Sequence, residues 1–573
     1  MDLQDTGVAR MEWKGATGVP EGVIEALMGP GAPFEMVVEN IRGIDHKVFA
    51  RQPRNLRAVF DASASRQGPN PFMTDGDRAW TQSEAIADIE SISRLLTERY
   101  GIRRGDRVAI LSANSPEYGL TMWATLSIGA IVTSLNGWWT GAEIEHGIAL
   151  TSPAIILGDG PRLARIEPGI VDDSVPIVLL KDLYAEALAL GSDGRTWSID
   201  VDPDDPAVIL FTSGTTGQAK GATLSHRNIA HFGWTNMLSG ALGAMTAPVA
   251  SSGPAPQPAS ILASPMFHVS GMIGILITGP ALGAKLVFPK PGRWDPKQHL
   301  ELTHDYGVNV WSGVPTQFWR LITDPDFDSY DLSALRSVGG GGAPFPPELV
   351  RELHRLLPNA VLGNGYGMSE TVGLGTIARG QLMVDHPDSV GVAQPSVEVE
   401  IRGASGELVA VGEVGEIHLR TACVFIGYWN NEPATRAAID DEGWYRTGDF
   451  GRVYDGLLHL ESRMRDLILR GGENIYPIEI ENRLVEHPGI RDAAVIGVDH
   501  VQLGQEVKAF VVLEDGVAME PSEVQRWAAE KLATFKVPAY VTFRTELPYT
   551  ETGKLQKRLL EAEEQPGREV DRA

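Results

Sequence analysis

Short runs of apolar, often β-branched residues recur along most of the chain and alternate with amphipathic stretches of helical spacing. Four such runs are Arg107–Leu111, Ala154–Leu157, Ala207–Phe211 and Lys285–Phe288, and Ser83–Glu98 is a typical helical stretch between them. Unbroken apolar runs of this length indicate strands that are buried on both faces, as in parallel sheets. The pattern therefore predicts an α/β fold.

One uncharged segment, residues 118–142, is long enough to span a bilayer. Ser, Thr, Asn and Gly interrupt it, and Asn136-Gly137 is typical of a turn between two elements. We therefore expect a buried helix followed by a strand, and no membrane span.

The pattern changes at three places. The first 45 residues or so are weakly patterned, and Ala241–Ser260 is rich in Ala, Pro, Ser and Gly without periodicity, so we expect a mobile surface insertion there. After about Ser462 a second strand–helix rhythm begins. We predict a large N-terminal α/β domain with several subdomains over residues 1–462, a charged hinge at 463–466, and a small mobile α+β domain over 467–573.

In this second rhythm, apolar runs indicate three strands and amphipathic stretches indicate two helices. The strands are predicted at Leu467–Leu469, Ala493–Val498 and Glu506–Leu513, and the helices at Pro477–Glu486 and Pro521–Leu532.

Composition narrows the class of protein. A chain of 573 residues is too long for one compact core. With 49 Lys and Arg against 74 Asp and Glu, the formal net charge is −25, which argues against nucleic-acid binding. The single cysteine, Cys423, excludes a disulfide framework and a cysteine-based metal site, and the start of the chain lacks a signal-peptide pattern. These features predict a cytoplasmic protein, and the sequence leaves a homodimer open.

A loop rich in small residues and hydroxyls follows the apolar run that ends at Phe211. Small residues let the backbone turn tightly and direct N–H groups at an anion, which indicates a phosphate-binding loop. It is not a Walker A loop, because Ala219 precedes Lys220 where that pattern requires glycine. The candidate phosphate contacts are Thr212, Ser213, Gly214, Thr215, Thr216, Gly217 and Lys220.

The string from Thr212 to Gly221 resembles a specific motif of the adenylate-forming superfamily, which comprises acyl-CoA synthetases, luciferases and adenylation domains. The resemblance continues in the expected order from about Leu56 to Arg558. It implies an AMP-forming acid–thiol ligase that uses ATP, Mg²⁺ and coenzyme A. Such an enzyme converts a carboxylic acid to an acyl-adenylate and then to an acyl-CoA.

A second motif, Gly365–Thr371, offers an aromatic ring for stacking, a carboxylate and a hydroxyl. The resemblance assigns Tyr366 and Gly367 to adenine, Glu370 to Mg²⁺ together with Thr216, and Thr371 to phosphate. Mg²⁺ fits this set because it prefers one or two carboxylates plus substrate phosphates.

Two further segments resemble nucleotide contacts of the family. The glycine-rich stretch before Phe345 fails the dinucleotide-binding pattern, and its Gly341, Gly342 and Ala343 match an adenine-binding turn. Asp449 matches the carboxylate that accepts both ribose hydroxyls. Arg463 matches a second ribose contact.

His268 and Lys554 are the other candidate catalytic residues. In the family the histidine lies beside the substrate carboxylate and the pantetheine passage, where domains that activate amino acids carry Asp instead. The lysine, on a long stem, bridges the substrate carboxylate and the α-phosphate. In the same C-terminal motif, Tyr549 replaces an arginine that is common in the family.

The resemblance also implies a second active arrangement for thioester formation. In it, Gly471 and Gly472 line the pantetheine path after the C-terminal domain rotates. Arg465 matches the hinge position, where relatives mostly carry Asp or Lys.

The predicted acid pocket has an apolar wall and no charged residue, which favours a fatty, aryl or polycyclic acid. Its candidate residues are Val269, Met272, Ile273, Trp311, Ser312 and Gly339. Two other classes remain open: a ligase that forms amides or loads a carrier instead of coenzyme A, and a binding protein without catalysis. All four of Lys220, Glu370, Asp449 and Lys554 are present, which argues against the latter.

Overall fold

The computed structural model describes most of the chain. The described ranges are 7–13, 19–76, 78–193, 195–212, 218–246, 256–342, 345–463, 466–470, 473–501, 503–532, 534–550 and 555–564.

The strands in these ranges are numbered in chain order. They are β1 Arg10–Glu12, β2 Met36–Ile41, β3 Ile44–Phe49, β4 Pro71–Asp75, β5 Arg78–Thr81, β6 Arg107–Leu111, β7 Ile131–Ser134, β8 Ile155–Gly158, β9 Ile177–Leu179, β10 Pro206–Thr212, β11 Lys220–Ser225, β12 Ala259–Ile261, β13 Lys285–Phe288, β14 Val310–Gly313, β15 Ser337–Gly341, β16 Val361–Tyr366, β17 Thr376–Arg379, β18 Val392–Ala393, β19 Glu398–Arg402, β20 Gly415–Arg420, β21 Gly427–Tyr428, β22 Tyr445–Tyr454, β23 Leu457–Arg463, β24 Ile468–Arg470, β25 Glu473–Ile475, β26 Ile490–His500, β27 Gly504–Leu513 and β28 Tyr540–Arg544.

The α-helices are numbered in the same way, and short 3₁₀ or π segments lie between some of them. They are α1 Glu21–Met28, α2 Leu56–Gln67, α3 Gln82–Glu98, α4 Pro116–Ser127, α5 Gly141–Thr151, α6 Gly160–Leu163, α7 Leu180–Leu190, α8 His226–Thr246, α9 Val269–Ile273, α10 Pro296–Tyr306, α11 Pro315–Ile322, α12 Pro347–Leu356, α13 Gln381–Asp385, α14 Glu432–Ala438, α15 Pro477–Val485, α16 Pro521–Ala529 and α17 Lys557–Glu564.

Two large sheets form the N-terminal region. The first has the order β21-β11-β10-β7-β6-β8-β9, with β10 to β9 parallel and β11 and β21 antiparallel at one edge. The second has the order β18-β17-β16-β15-β14-β12-β13-β4-β5, with a parallel centre from β16 to β4. The α/β prediction is confirmed.

Helix α4 explains how the two sheets share one core. It contacts β7 of the first sheet and β4 of the second, so its side chains are buried on every face. Ser115 caps its N-terminus by accepting a hydrogen bond from the Tyr118 N–H. The uncharged segment 118–142 is therefore a buried helix followed by β7, as predicted, and no helix in the described ranges is long and apolar enough to cross a membrane.

The N-terminal extension contains more structure than its weak pattern indicated. Strand β1 joins the edge of an antiparallel sheet of order β1-β19-β20-β22-β23, β2 and β3 form a hairpin, and α1 packs on α8. The surface insertion predicted for Ala241–Ser260 was wrong at both ends, because α8 continues to Thr246 and β12 begins at Ala259, and its residues 247–255 lie outside the described ranges. Leu242 packs against Phe34 and Phe49, a long-range contact that the local pattern could not reveal.

The C-terminal region has its own sheet, of order β25-β24-β27-β26 with β28 parallel to β27. Its strands and helices fall within three residues of the predicted bounds where the pattern marked them. A separate apolar cluster around Ile480, Val495 and Val511 forms its core, and α15 packs on β23 of the N-terminal region. Mixed α/β structure in a small second domain agrees with the predicted fold class. The proposed hinge, 463–466, begins at the last residue of β23, and its residues 464 and 465 lie outside the described ranges.

Candidate nucleotide and acid site

The candidate site lies where the ends of strands from the two large sheets meet. Three side-chain contacts join these ends: Tyr428 to Glu370, Asn114 to the loop after β12, and Trp138 to His268. Ligands of open α/β sheets bind at the carboxyl ends of the strands, so this convergence is the natural place for a cleft.

Glu370 is the carboxylate at the centre of this region. It is only 7% exposed and lies on a 3₁₀ turn, Ser369–Thr371, shortly after β16. The Tyr428 hydroxyl donates to its Oε1 at 2.9 Å. Burial, together with the Glu370 charge, raises the pKa of Tyr428, so the phenol stays a donor at neutral pH. One carboxylate oxygen is thus held in place by a phenol.

Lys220 brings a positive charge to the same place. It is the first residue of β11 and pairs across the hairpin with Thr212, the last residue of β10. Its Nζ lies 5.1 Å from the centre of the Tyr428 ring, within cation–π range. The described ends of the predicted phosphate loop therefore face the Tyr428–Glu370 pair.

Tyr366 and Asp449 form a second polar pair. Tyr366 ends β16, and its hydroxyl donates to Asp449 Oδ2 at 3.0 Å across the gap to β22. Asp449 itself pairs with Arg463 in the register of β22 and β23. Tyr445 is buried near Tyr366, Tyr428 and Glu370, and burial raises its pKa well above its usual value. The predicted adenine and ribose residues are therefore neighbours in the fold.

Close backbone packing explains the glycines of the predicted adenine turn. A Cβ on Gly341 would collide with the Gly365 carbonyl oxygen on β16, and one on Gly367 would collide with Gly373. Gly342 has a φ of +82°, which L side chains rarely adopt. Thr371 is fully buried, and its hydroxyl donates to the Met368 carbonyl at 3.3 Å. Its predicted phosphate contact would require this turn to open.

His268 stands at the N-terminus of α9, half-buried among aromatic rings. Its ring centre lies 4.9 Å from Phe267 and 5.7 Å from Trp138, whose own ring is 36% exposed. The loop before it is fixed by Asn114, whose amide donates to the Leu262 and Ser264 carbonyls at 3.1 and 2.7 Å. The Asn114 carbonyl also accepts from the Met266 N–H at 2.8 Å.

The residues predicted to form the pocket wall lie in two places: on α9, and on the neighbouring strands β14 and β15. Val269 and Ile273 are half-buried on α9, Met272 is fully buried, and Gly339 lies on β15 beside β14. Trp311 corrects the prediction, because its indole is 1% exposed in a separate core and donates to Thr303 Oγ1 at 2.9 Å. Alternate residues of a strand point to opposite faces, so Ser312 is the exposed neighbour.

Of Arg463, only the backbone is described. The predicted site residues that lie outside the described ranges are Ser213, Gly214, Thr215, Thr216, Gly217, Ala343, Arg465, Gly471, Gly472 and Lys554.

Metal binding by protein side chains alone finds no support in the described ranges, which contain no cluster of three or more His, Cys, Asp or Glu suited to a cation. A single buried carboxylate, Glu370, joined to Tyr428, whose ring is in turn close to Lys220, is instead the donor set of a cation that takes most ligands from substrate phosphates. The residues present therefore fit Mg²⁺ delivered with a nucleotide.

Sequence reasoning missed four residues that shape the site: Tyr428, Tyr445, Trp138 and Asn114. Tyr445 lies in the segment Trp444–Asp449, in which only Asp449 was assigned a role. The aromatic run around Tyr428 and the Trp138-Trp139 pair after a turn were signals that could have prompted a closer look. Asn114 has no such signal, because its partners are about 150 residues away.

Comparison with known proteins agrees with this geometry. Residues 60–429 match the family model described as "AMP-binding enzyme", and residues 479–554 match the "AMP-binding enzyme C-terminal domain". The chain is 32% identical over 496 residues to the mitochondrial medium-chain acyl-CoA ligase ACSF2 of Bos taurus, covering 80% of this chain and 78% of that protein. It is 34% identical over 465 residues to a feruloyl-CoA synthase of Amycolatopsis sp, covering 80% and 88%.

A solved structure shows the same architecture with nucleotide present. ATP-bound MatB from Rhodopseudomonas palustris superposes with a TM-score of 0.78 at 28% identity, covering 89% of this chain and 99% of that one. The two family matches and the two relatives together cover both regions of the chain. The protein belongs to the AMP-binding enzyme family and is an adenylate-forming acid–thiol ligase of the acyl-CoA synthetase type.

Proposed function

We propose that the protein activates an apolar carboxylic acid with Mg·ATP and transfers the acyl group to coenzyme A, giving acyl-CoA, AMP and pyrophosphate. The observation that carries the proposal is two neighbouring pairs: Tyr366–Asp449, which joins the end of β16 to β22, and Tyr428–Glu370, which joins β21 of the first large sheet to the turn after β16 of the second. The first pair suits an adenosine, and the second holds a buried carboxylate near Lys220.

In the first half-reaction, the tyrosine ring of Tyr366 stacks on adenine and Asp449 accepts the ribose hydroxyls. The loop that begins at Thr212, with Lys220, binds the phosphates, and Lys554 draws the acid's carboxylate toward the α-phosphorus. The carboxylate oxygen attacks phosphorus and pyrophosphate leaves. Catalysis here is positioning and charge stabilisation, and no protein nucleophile is needed.

Glu370 and Thr216 would hold Mg²⁺, with Tyr428 keeping the carboxylate oriented. The ion supplies neutralisation of phosphate charge when bound.

In the second half-reaction, we propose that the C-terminal domain over 467–573 rotates about Arg465. This rotation withdraws Lys554 and brings Gly471 and Gly472 to the pantetheine path. The thiol then attacks the acyl-adenylate carbonyl near His268, and AMP departs. Domain motions of this kind often limit turnover.

The acid is proposed to be apolar because the rings that contact His268 in the described ranges are those of Trp138 and Phe267, and Val269 and Ile273 follow it on α9. One relative is named for a medium-chain acyl group and another for a feruloyl group, so we include both aliphatic and aryl acids among the candidate substrates. A pyrophosphate-release screen over acids of graded length and ring content identifies the substrate.

The acceptor is tested by product analysis with the best acid from that screen. Acyl-CoA that accumulates with coenzyme A, and hydroxamate that forms only when hydroxylamine replaces it, support the proposal. Amide formation or carrier loading without any thioester would favour the alternative ligase. Absence of pyrophosphate release with every acid would favour a binding protein.

Lys554→Ala separates the half-reactions. We expect it to abolish adenylation and to spare thioester formation from a supplied acyl-adenylate. Equal loss of both would contradict the proposed domain rotation.

The cellular location is also a proposal. The sequence predicts the cytoplasm, whereas the ACSF2 relatives are named as mitochondrial. Fractionation of the native cell decides between the two.

A further inference from the structure

A tyrosine and an aspartate of the C-terminal region are paired with each other. The Tyr549 hydroxyl lies 2.9 and 3.2 Å from the two carboxylate oxygens of Asp492, near the start of β26. The Asp492 carboxylate also accepts from the Ala493 N–H at 2.9 Å. Tyr549 is 37% exposed, so packing alone does not explain its place.

The residues around this pair fasten both ends of the segment 551–554. Tyr549 and Leu555 form an antiparallel bridge. Leu555 packs with Leu547 and Leu560 against β26 and β27. On the far side, Lys557 Nζ forms an ion pair with Glu481 Oε1 of α15 at 2.6 Å. Before Lys554, the chain is therefore held to β26 through Tyr549. After it, Leu555 and Lys557 hold the chain to β26, β27 and α15.

We propose that Tyr549 and Asp492 are positioning residues for adenylation: their hydrogen bond fixes the chain at Tyr549, five residues before Lys554. This inference rests on the proposed function, because it acts through the role given to Lys554. A long ammonium must place its charge within hydrogen-bond reach of two anions, and small displacements of its base are costly in rate.

The pair is sensitive to pH because of what surrounds the carboxyl. Burial raises the pKa of Asp492 to about 6, and the Glu481 charge adds to the rise. The Tyr549 hydroxyl, the Ala493 N–H and Arg491 oppose it. Arg491 is in turn 3.4 Å from Asp515, and Lys557 is engaged by Glu481.

The direction of the effect follows from the hydrogen bond. Above about pH 6 the carboxylate is ionised and accepts a charge-assisted bond from the phenol, whose pKa is raised by burial and by Asp492. Below that pH the carboxyl is neutral and the bond weakens. Adenylation should therefore rise with pH through about 6, while the thioester half-reaction lacks this dependence.

The test compares Tyr549→Phe with Tyr540→Phe, which removes a hydroxyl from an exposed tyrosine of the same domain. Acid-dependent pyrophosphate release and thioester formation from supplied acyl-adenylate are measured separately. For Tyr549→Phe we expect a fall in the adenylation kcat on the order of tenfold, with thioester formation and melting temperature unchanged. Tyr540→Phe should match the wild type in both.

Two more variants test the rise of adenylation with pH and whether an arginine can replace Tyr549. Asp492→Asn should remove the rise near pH 6. Tyr549→Arg should restore adenylation and move the rise to lower pH, because a nearby cation lowers a carboxyl pKa.

Equal loss of both half-reactions, or no loss in Tyr549→Phe, would overturn the inference while wild-type adenylation still stands. A wild type that releases no pyrophosphate with any acid would instead overturn the proposed function.

Discussion

The two sides of the candidate site are built differently. On the nucleotide side, polar side chains from separate elements hold one another: Tyr366 with Asp449, and Tyr428 with Glu370 and Lys220. On the acid side, His268 is surrounded by rings, and its loop is held mainly by Asn114. Nucleotide chemistry demands fixed charges at fixed places, whereas an apolar tail demands only shape. The nucleotide side should therefore tolerate far less change.

The largest effect is expected for Glu370→Gln. The amide can still accept from Tyr428 but carries no charge to hold the cation, so the kcat of pyrophosphate release should fall by about 10²–10³-fold. Glu432→Gln, on the exposed face of α14, is the matched control and should leave kcat unchanged. A loss below about threefold for Glu370→Gln would remove this residue from the cation site.

Substitutions of Trp311 test whether this residue belongs to the core or to the wall of the acid pocket. Because its indole is buried and bonded to Thr303, Trp311→Ala should lower the free energy of unfolding by about 3–5 kcal/mol. Denaturant unfolding measures the loss. Trp311→Phe keeps the fold for kinetics, and its order of preference among acids should match the wild type. A reordered preference with little destabilisation would return Trp311 to the pocket.

Tyr428→Phe tests whether the phenol orients the carboxylate. Losing a hydrogen bond to a charged group should lower the kcat of adenylation about tenfold. The control is Tyr454→Phe, whose ring is 62% exposed. In combination with Glu370→Gln the losses should not add, because the two groups act as one unit. Additive losses would mean that Tyr428 works independently of Glu370.

The smallest effect is expected at Trp138, on the acid side. Its ring contacts His268 and Phe267 but is partly exposed, so Trp138→Ala should lower kcat/KM about threefold and barely move the melting temperature. Trp138→Phe should recover most of the loss. A hundredfold loss would contradict the contrast between the two sides.

More residues of the nucleotide side than of the acid side could be predicted from the sequence, and the reason is physical. Tyr366 and Glu370 share one short motif and Asp449 ends another, Trp444–Asp449, so the family resemblance that these motifs carry was enough to group them. Tyr428 was missed because its partner, Glu370, is 58 residues away, on a 3₁₀ turn that follows a strand of the other large sheet. The fold class followed from apolar runs, and the run Lys285–Phe288 matches β13.

The errors arose where tertiary packing decides. Trp311 was placed on the wrong face because β14 lies in the parallel centre of its sheet, so a strand's local pattern does not say which face meets the cleft. The end of α8 was assigned to an insertion because its apolar partners, Phe34 and Phe49, lie about 200 residues earlier in the chain.

Acid-dependent exchange of labelled pyrophosphate into ATP, with coenzyme A absent, tests the central claim most directly. If the joined ends of the two sheets form an acyl-adenylate, exchange should require both ATP and the apolar acid and should be lost in Asp449→Ala. Exchange that appears only when coenzyme A is added, or that survives in Asp449→Ala with an unchanged KM for ATP, would contradict the account.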